Sequence, residues 1–245
     1  GGRSARRLRA PVDLRRGRPR LMSALTIAGS AVLAATVTMP RVGVWWAEVE
    51  VSTETALTGV VELVPETGAT WHGTVIAGGV HAGTWRCRIV GGAGGLRRTL
   101  PATSYRDATL HDVVADAARE AGETLDAGTD LRSWAVSRFV RVERPASRAV
   151  ADVANAASMP WRITRAGTLL VAAESWAGVS LPDVTVASEG VHVQRYELAG
   201  AVLGIDPGTS ITLPLEAGAT VVRVSDVMHR IEGDEVTVVV WGVDG

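Results

Sequence analysis

The chain has 245 residues, with 25 arginines, no lysine, 26 acidic residues, one cysteine and a formal net charge of −1. A hydrophobic fraction of 47% and a charged fraction of 21% are typical of a soluble globular protein and exclude an intrinsically disordered chain. The single cysteine, Cys87, excludes an intrachain disulfide and a cysteine-based metal site. Because it stands in the alternating segment Trp85-Arg86-Cys87-Arg88-Ile89, we expect it to be a small buried strand residue.

The charges are distributed unevenly along the chain. Residues 1–21 contain eight arginines and one aspartate, a balance of +7, whereas the rest contains 17 arginines and 25 acidic residues, a balance of −8. An acidic body disfavours phosphate binding. It would suit the wall of a conduit along which nucleic acid slides without sticking.

The N-terminal region allows two interpretations. A basic run followed by an apolar stretch at 21–37 is the pattern of a signal peptide, with cleavage near Ala35. We favour the other interpretation, in which Met22 is the start and residues 1–21 are a disordered or non-native leader. The apolar stretch then forms two strands, at 23–27 and 32–39, joined by a turn. The stretch is too short and too rich in Ser, Thr and Gly for a membrane span, so we predict none.

Short strands separated by turns dominate the two ends of the body. Val, Thr and Gly are plentiful, which favours strands and turns. We predict a first β-barrel part at 22–104 and a closing β-barrel part at 179–245, with turns at Asp206-Pro207-Gly208 and Glu232-Gly233-Asp234. The candidate strands are 41–51, 57–64, 71–77, 83–90, 184–186, 191–198, 210–215, 220–230 and 235–241.

The middle segment, 105–178, shows helical periodicity and predicts a small α+β insert. One helix is expected after Thr109, with Asp112 completing a capping box and Gly122 ending it. A second is expected at 147–158, capped by Ser147 and stopped by Pro160, and a hairpin follows at 161–172. The fold class is therefore α+β and β-rich, with β-barrel parts and a two-helix insert.

A search for chemistry gives no catalytic, cofactor-binding or metal-binding residues. The histidines (His72, His81, His111, His192 and His229) lack metal-site spacing, and we expect structural or surface roles for them. The segment Gly91-Gly92-Ala93-Gly94-Gly95 lacks the Lys-Ser/Thr pair of a phosphate loop, so we expect a flexible inter-domain turn. No Gly-x-Ser-x-Gly elbow is present. The eight tryptophans favour core and interface anchoring over nucleic-acid stacking, because the body is acidic. Our candidate interface residues are Trp45, Trp46 and Trp85.

Three passages resemble the baseplate hub proteins of phage tails, the group that includes the late control protein D family. The first is Ser104-Tyr105-Arg106-Asp107-Ala108-Thr109-Leu110 with the helix that follows. The second is the helix before Pro160 with the strand Gly167-Thr168-Leu169-Leu170-Val171. The third is Asp206-Pro207-Gly208 with the closing strands that contain His229 and Trp241. The resemblance covers residues 23–245, although the basic run has no counterpart and no lysozyme or spike domain is appended.

The resemblance implies a virion structural protein without enzymatic activity. It would assemble in the host cytoplasm as a homo-oligomer, a trimeric ring at the tail tip. Its implied partners are the tail tube or distal tail protein, the tape-measure protein and a spike or fibre, with transient passage of DNA during ejection. Two other hypotheses remain open from the residues alone. One is a secreted or envelope-associated β-rich module that binds the cell wall, and the other is a wall hydrolase.

Overall fold

The computed structural model describes residues 23–181, 184–190, 193–200, 203–215 and 218–243. About 55% of the described residues are in strands, and these residues contain two α-helices, so the β-rich α+β fold class is confirmed. None of the helices in these ranges is long and apolar enough to cross a membrane.

The helices are α1 (Leu110–Ala121) and α2 (Ala146–Ala156), with a short 3-10 helix at Gly95–Arg97. The strands are β1 (Leu25–Ile27), β2 (Ser30–Met39), β3 (Trp46–Val51), β4 (Gly59–Pro65), β5 (Trp71–His81), β6 (Thr84–Gly91), β7 (Thr99–Leu100), β8 (Thr103–Thr109), β9 (Thr124–Leu125), β10 (Ala135–Arg141), β11 (Arg144–Pro145), β12 (Trp161–Ile163), β13 (Thr168–Val171), β14 (Ala177–Val179), β15 (Thr185–Gly190), β16 (Arg195–Ala199), β17 (Thr209–Leu215), β18 (Gly218–Glu232) and β19 (Glu235–Val243).

The first six strands close into a barrel. Their order is β1-β4-β5-β6-β3-β2, and pairing of β1 with β2 completes the circle. The predicted N-terminal hairpin is confirmed, with Thr26 opposite Ala31. From residue 23 onward the apolar stretch is thus part of the barrel, while the basic leader and Met22 lie outside the described residues. Cys87 is buried on β6, as expected, and burial raises the pKa of its thiol to about 11.

A single long strand, β18, joins the barrel to the second group of strands. Its first part, Gly218 to Arg223, pairs with β17, and its last part, Val227 to Glu232, pairs with β2 of the barrel. On its other edge β18 pairs with β19, followed by β16 and β15. An uninterrupted eight-stranded sheet therefore runs through both halves in the order β5-β6-β3-β2-β18-β19-β16-β15.

Local capping signals place α1 where the sequence predicts it. The Thr109 hydroxyl accepts from the Asp112 amide at 3.2 Å, the Thr109 amide donates to the Asp112 carboxylate at 2.9 Å, and Gly122 ends the helix at φ 81°. These contacts are the predicted capping box and left-handed C-cap.

Two predicted boundaries are wrong. The second helix begins at Ala146 with Pro145 before it, so Ser147 is not its cap. The reason is that the Ala146 amide donates to the Arg98 carbonyl at 2.8 Å, which fixes the helix start one residue earlier. The strand expected from residue 41 begins only at Trp46, because Gly43, at φ 121°, makes a bridge to Arg162 in the insert.

The insert packs the two helices against a hairpin of β12 and β13, which confirms the hairpin prediction. A second ribbon, β8 paired with β10, was not predicted from the sequence. The insert attaches to one end of the barrel, where the Gly43 amide donates to the Trp161 carbonyl at 2.8 Å and the His72 amide donates to the Arg165 carbonyl at 2.9 Å. This attachment orients the insert relative to the long sheet.

Candidate functional site

The outer face of the long sheet is concave over five of its eight strands, and this part is called the concave face below. An open depression of about 890 Å³ extends over β5, β6, β3, β2 and β18, on the face opposite the buried core residues of these strands. The side chains there follow the period-2 rule, since Glu48 and Glu50 point outward while Val49 between them is buried. The charged side chains of β3 therefore line the depression.

Carboxylates and guanidiniums alternate across this face. Arg88 pairs with Glu48 on the neighbouring strand, and Arg86 Nη2 lies 2.9 Å from the Glu50 carboxylate. The hydroxyl of Thr84 donates to Glu50 at 2.8 Å, and this hydrogen bond, followed by the one from Arg86, lowers the pKa of that carboxyl. Exposed pairs add little stability, so their consequence is mainly electrostatic. Two cations that would otherwise attract phosphate already have anionic partners.

Both ends of the long sheet have unpaired edges in the described residues. The pairing of β5 with β4 stops at Val75, so the rest of β5, Ile76 to His81, pairs only with β6. At the other end β15 pairs only with β16. Exposed edges present unpaired amide and carbonyl groups that another chain can extend. The two edges differ in sequence, so a contact between them would be heterologous.

The three candidate interface tryptophans occupy different environments. Trp45 is 1% exposed, donates its indole N–H to the Thr164 carbonyl at 3.0 Å and covers Gly91, so its surface lies inside the chain. Trp46 is 38% exposed on the outer face of β3. Trp85 is half-buried, with its ring against Gly78. An interface role therefore remains a prediction for Trp46 and Trp85, and Trp45 is instead an anchor between barrel and insert.

Arg165 connects three parts of the chain at the junction. It lies in the turn of the insert hairpin, and its guanidinium stacks 4.2 Å from the ring centroid of Trp71 in the barrel. Its nitrogens reach Asp206 at 2.6 Å and the carbonyls of Leu203 and Ile205 in the loop before β17. Arg165 is buried, so these contacts fix the insert, the barrel and the second group of strands in one arrangement.

His229 lies beside this junction and is fully buried on β18. Its ring meets Trp71 edge-on with centroids 5.3 Å apart, and neither ring nitrogen makes a hydrogen bond. Burial, and secondly the charge of Arg165, lower the pKa of His229 to about 3. The carbonyl of Ile205 opposes this shift to a smaller extent, but it already accepts from Arg165 at 3.1 Å. The neutral form is therefore the folded form, consistent with the predicted structural role.

A pH dependence follows from the lowered pKa of His229. The His229 ring takes up a proton near pH 6.5 in the unfolded chain but only near pH 3 in the folded chain. The stability that the neutral ring contributes is therefore present above pH 6.5 and is lost as the pH falls toward 3. We expect His229→Phe to be less sensitive than the wild type between pH 6.5 and 4.5, by up to about 1.4 kcal/mol per pH unit. Urea unfolding at several pH values measures this. If the free energy of unfolding fell equally with pH in the wild type and in His229→Phe, this prediction would be wrong.

The glycine-rich segment is held by a carboxylate. Glu123, which follows α1 and is buried, accepts from the amides of Ala93 at 2.8 Å and Gly95 at 2.7 Å. Positive φ angles at Gly92 (72°) and Gly94 (76°) turn these amides toward it. The expected flexible turn is thus an anion-binding loop whose anion is the Glu123 carboxylate of the same chain. No local signal in the sequence identifies Glu123 as the partner, because it lies 28 and 30 positions from the amides that it binds.

Removing this anion is expected to destabilise the barrel–insert connection. Glu123→Ala leaves two amide donors without a partner, at a cost of about 2 kcal/mol in the free energy of unfolding. Faster hydrogen exchange at Ala93 and Gly95 should accompany the loss. Glu143→Ala, an exposed carboxylate of the insert, is the control, and equal effects of both changes would contradict the assignment.

The histidines and acidic residues do not assemble a metal centre in the described ranges, where no group of three potential ligands converges. His72 lies 3.5 Å from Glu62 on the barrel surface, and His81 is exposed at the end of β5. His111 stands in the first turn of α1. His192 lies outside the described residues.

Comparison with known proteins identifies the fold. No protein-family model and no curated protein sequence match this chain. Solved structures do match it, however. A prophage MuSo2 43 kDa tail protein from Shewanella oneidensis is similar over 89% of this chain and 96% of its own, with a TM-score of 0.65 and 10% identity. A tail protein from Neisseria meningitidis MC58 is similar over 91% of this chain and 97% of its own, with a TM-score of 0.65 and 12% identity.

The chain has the fold of phage tail proteins. A third similar structure is the E. coli c3393 protein, a component of the type VI secretion system described as similar to the T4 bacteriophage tail proteins gp27 and gp5. It covers 90% of this chain and 76% of its own length, with a TM-score of 0.65 and 10% identity. At these identities the comparison establishes the shared fold and leaves the role of this chain to be argued from its own surfaces.

Proposed function

We propose that this protein is a structural hub of a phage or phage-like tail tip, forming a homo-oligomeric ring, a trimer, around the DNA channel. The observation that carries the proposal is the continuous eight-stranded sheet, which is concave over five of its strands and has an unpaired stretch of backbone at each end, on the outer part of β5 and on β15. The fold shared with tail proteins supports a tail role. The hub assignment rests on the resemblance and on this sheet.

Ring closure follows from the two free edges. The outer part of β5 in one subunit joins β15 of the next, which satisfies the backbone groups of both edges. Repetition of a heterologous contact closes into a ring when the rotation per subunit divides a full turn. The concave faces then line the central channel.

The chemistry of the concave face suits the passage of DNA. Three carboxylates (Glu48, Glu50, Glu232) balance three guanidiniums (Arg86, Arg88, Arg230), and two of these guanidiniums are paired. The wall is therefore neutral here, whereas we had considered an acidic one. Paired arginines hold phosphate weakly because each must first release its carboxylate. A neutral wall of paired charges gives DNA few contacts at which to stop.

Charge also distinguishes the two ends of the proposed ring. Residues 97–178, which include the insert, contain 11 arginines and ten acidic residues, whereas 22–96 and 179–245 together contain six arginines and 15 acidic residues. The insert adjoins one end of the long strands, and the β18–β19 turn, with Glu232, Asp234 and Glu235, lies at the other. Two chemically different ends suit two different axial neighbours. The proposed neighbours are the tail tube or distal tail protein at one end and a spike or fibre at the other, with the tape-measure protein in the channel and no catalytic role for this chain.

Electron microscopy of the purified chain tests the ring, with light scattering to measure its mass. We expect closed rings of about three subunits with a central hole. A proline scan of β15 sharpens the test, because amides alternate between the β16 side and the free side. Proline at free-side positions should abolish rings while the subunit stays folded. A folded monomer at all concentrations that binds purified cell wall would favour the wall-binding module instead.

A further inference from the structure

A second concave feature lies where the concave face meets the insert. It is an apolar groove of about 420 Å³ between the barrel surface and the 3-10 helix. Trp46 and Ile76 are 38% and 37% exposed within it, and Val44, Val90 and Leu96 complete the apolar lining. Large side chains are rarely left exposed together in a groove unless something covers them.

One cation at the rim of this groove has no partner. Arg97, at the end of the 3-10 helix, is exposed and makes no ion pair within the described chain. By contrast Arg88, on the opposite wall, pairs with Glu48 and lies 5.9 Å from the ring of Trp46. Tryptophan and arginine, both present in this groove, are two of the residue types enriched in binding hot spots.

The groove is preorganised. Its floor includes Gly91 and Gly94, and the loop that contains them is fixed by the two hydrogen bonds to Glu123 at 2.7 and 2.8 Å. A preformed groove loses little entropy when it binds a ligand. This rigidity distinguishes it from an apolar patch on a mobile loop.

We propose that this groove binds a polypeptide segment of another protein, one that carries large apolar side chains next to a carboxylate. The apolar groups fill the space above Trp46 and Ile76, and the carboxylate pairs with Arg97. The choice of a different protein rests on the proposed function. Trp46 lies on the same outer face as Glu48, so in the ring the groove opens toward the channel and not toward the flank of a neighbouring copy.

Peptide titration of the full chain tests the groove, with the indole N–H signal of Trp46 followed by NMR and assigned through W46F. The probes are N-acetyl-Leu-Leu-Glu amide and N-acetyl-Leu-Leu-Lys amide. We expect saturable shifts with the acidic peptide at a Kd of about 1 mM and at least about ten-fold weaker binding of the basic peptide. R97E should reverse this preference. R148E, the same charge change on an exposed arginine of α2 that does not line the groove, should leave it unchanged.

Several outcomes would overturn the proposal. No saturable shift up to about 10 mM peptide, or equal binding of both peptides, would remove the predicted ligand chemistry. Shifts that appear on raising the protein concentration alone would identify a second copy as the occupant, and shifts caused only by a DNA duplex would identify nucleic acid. Because the titration is read on the subunit, failure of ring formation with intact peptide binding would count against the hub and not against the groove.

Discussion

Arg165→Ala is expected to lower the free energy of unfolding by about 3 kcal/mol, the largest effect of any single substitution considered for this chain. The change removes the 2.6 Å ion pair with Asp206 and leaves the carbonyls of Leu203 and Ile205 without their donor. It also removes the cation from the face of Trp71. Urea unfolding followed by tryptophan fluorescence measures the loss.

Arg132→Ala is the matched control. Arg132 pairs with Asp130 at 3.4 Å, and both side chains are about 70% exposed, so less than about 1 kcal/mol is expected. Arg165→Lys should fall between the two, because lysine retains the charge but cannot reproduce the planar fork that reaches the carboxylate and the carbonyls together. If Arg165→Ala and Arg132→Ala cost the same, the junction is not held by this guanidinium.

The features that sequence predicted correctly are those whose causes are local. The capping box of α1 needs only Thr109 and Asp112, three residues apart, and Gly122 at the end. The insert hairpin likewise depends on a turn of a few residues. Spacing along the chain determines such contacts, and so a single sequence reveals them.

The features that sequence missed depend on distant partners. Arg165 contacts the carbonyl of Ala69, 96 positions away, and that of Ile205, 40 positions away. The Gly91–Gly95 segment receives its anion from Glu123, 28 and 30 positions from the amides that bind it. Periodicity identifies a buried face or an exposed turn but does not say which residue lies opposite.

The neighbouring residues Trp45 and Trp46 illustrate the alternation of side chains along a strand. Side chains alternate along a strand, so Trp45 and Trp46 must face opposite sides of the sheet and cannot both be surface anchors. Which one faces inward depends on the close approach of Gly73 and Gly91 to the Trp45 ring, on strands β5 and β6. The exposed member, Trp46, lines the apolar groove and lies on the same outer face of β3 as Glu48.

The joining strand β18 marks a further limit. Alternation along 220–230 predicts one long strand, and this is correct. It does not reveal that the two ends of the strand pair with different strands, β17 at the start and β2 of the barrel at the end. Arg230, Ile231 and Glu232 of this strand complete one side of the concave face, and their place there is determined by the register of β18 against β2 and not by any motif.

Glu48→Gln with Glu50→Gln is expected to convert the concave face into a DNA-binding surface. Arg86 and Arg88 lose their carboxylate partners and become free to contact phosphates. We expect about ten-fold tighter binding of a DNA duplex at moderate salt, and a salt dependence steeper by about 0.9 for each guanidinium that takes up a phosphate. Fluorescence anisotropy over a series of salt concentrations measures both quantities.

Two further variants separate the effect of the Glu–Arg pairs on the concave face from the effect of net charge on DNA binding. Glu62→Gln with Glu66→Gln makes the same change of charge on the barrel surface outside the concave face, and it should leave affinity and salt dependence almost unchanged. Adding Arg86→Gln and Arg88→Gln to the first pair should return both to the wild-type level, because the released guanidiniums are then gone. An equal increase in DNA affinity from the two pairs of glutamate substitutions would show that overall charge governs DNA binding. That result would contradict the proposal that the concave face lines the channel. A gain confined to Glu48 and Glu50 would instead mean that the paired charges keep this wall from holding DNA, as a channel lining for an ejected genome requires.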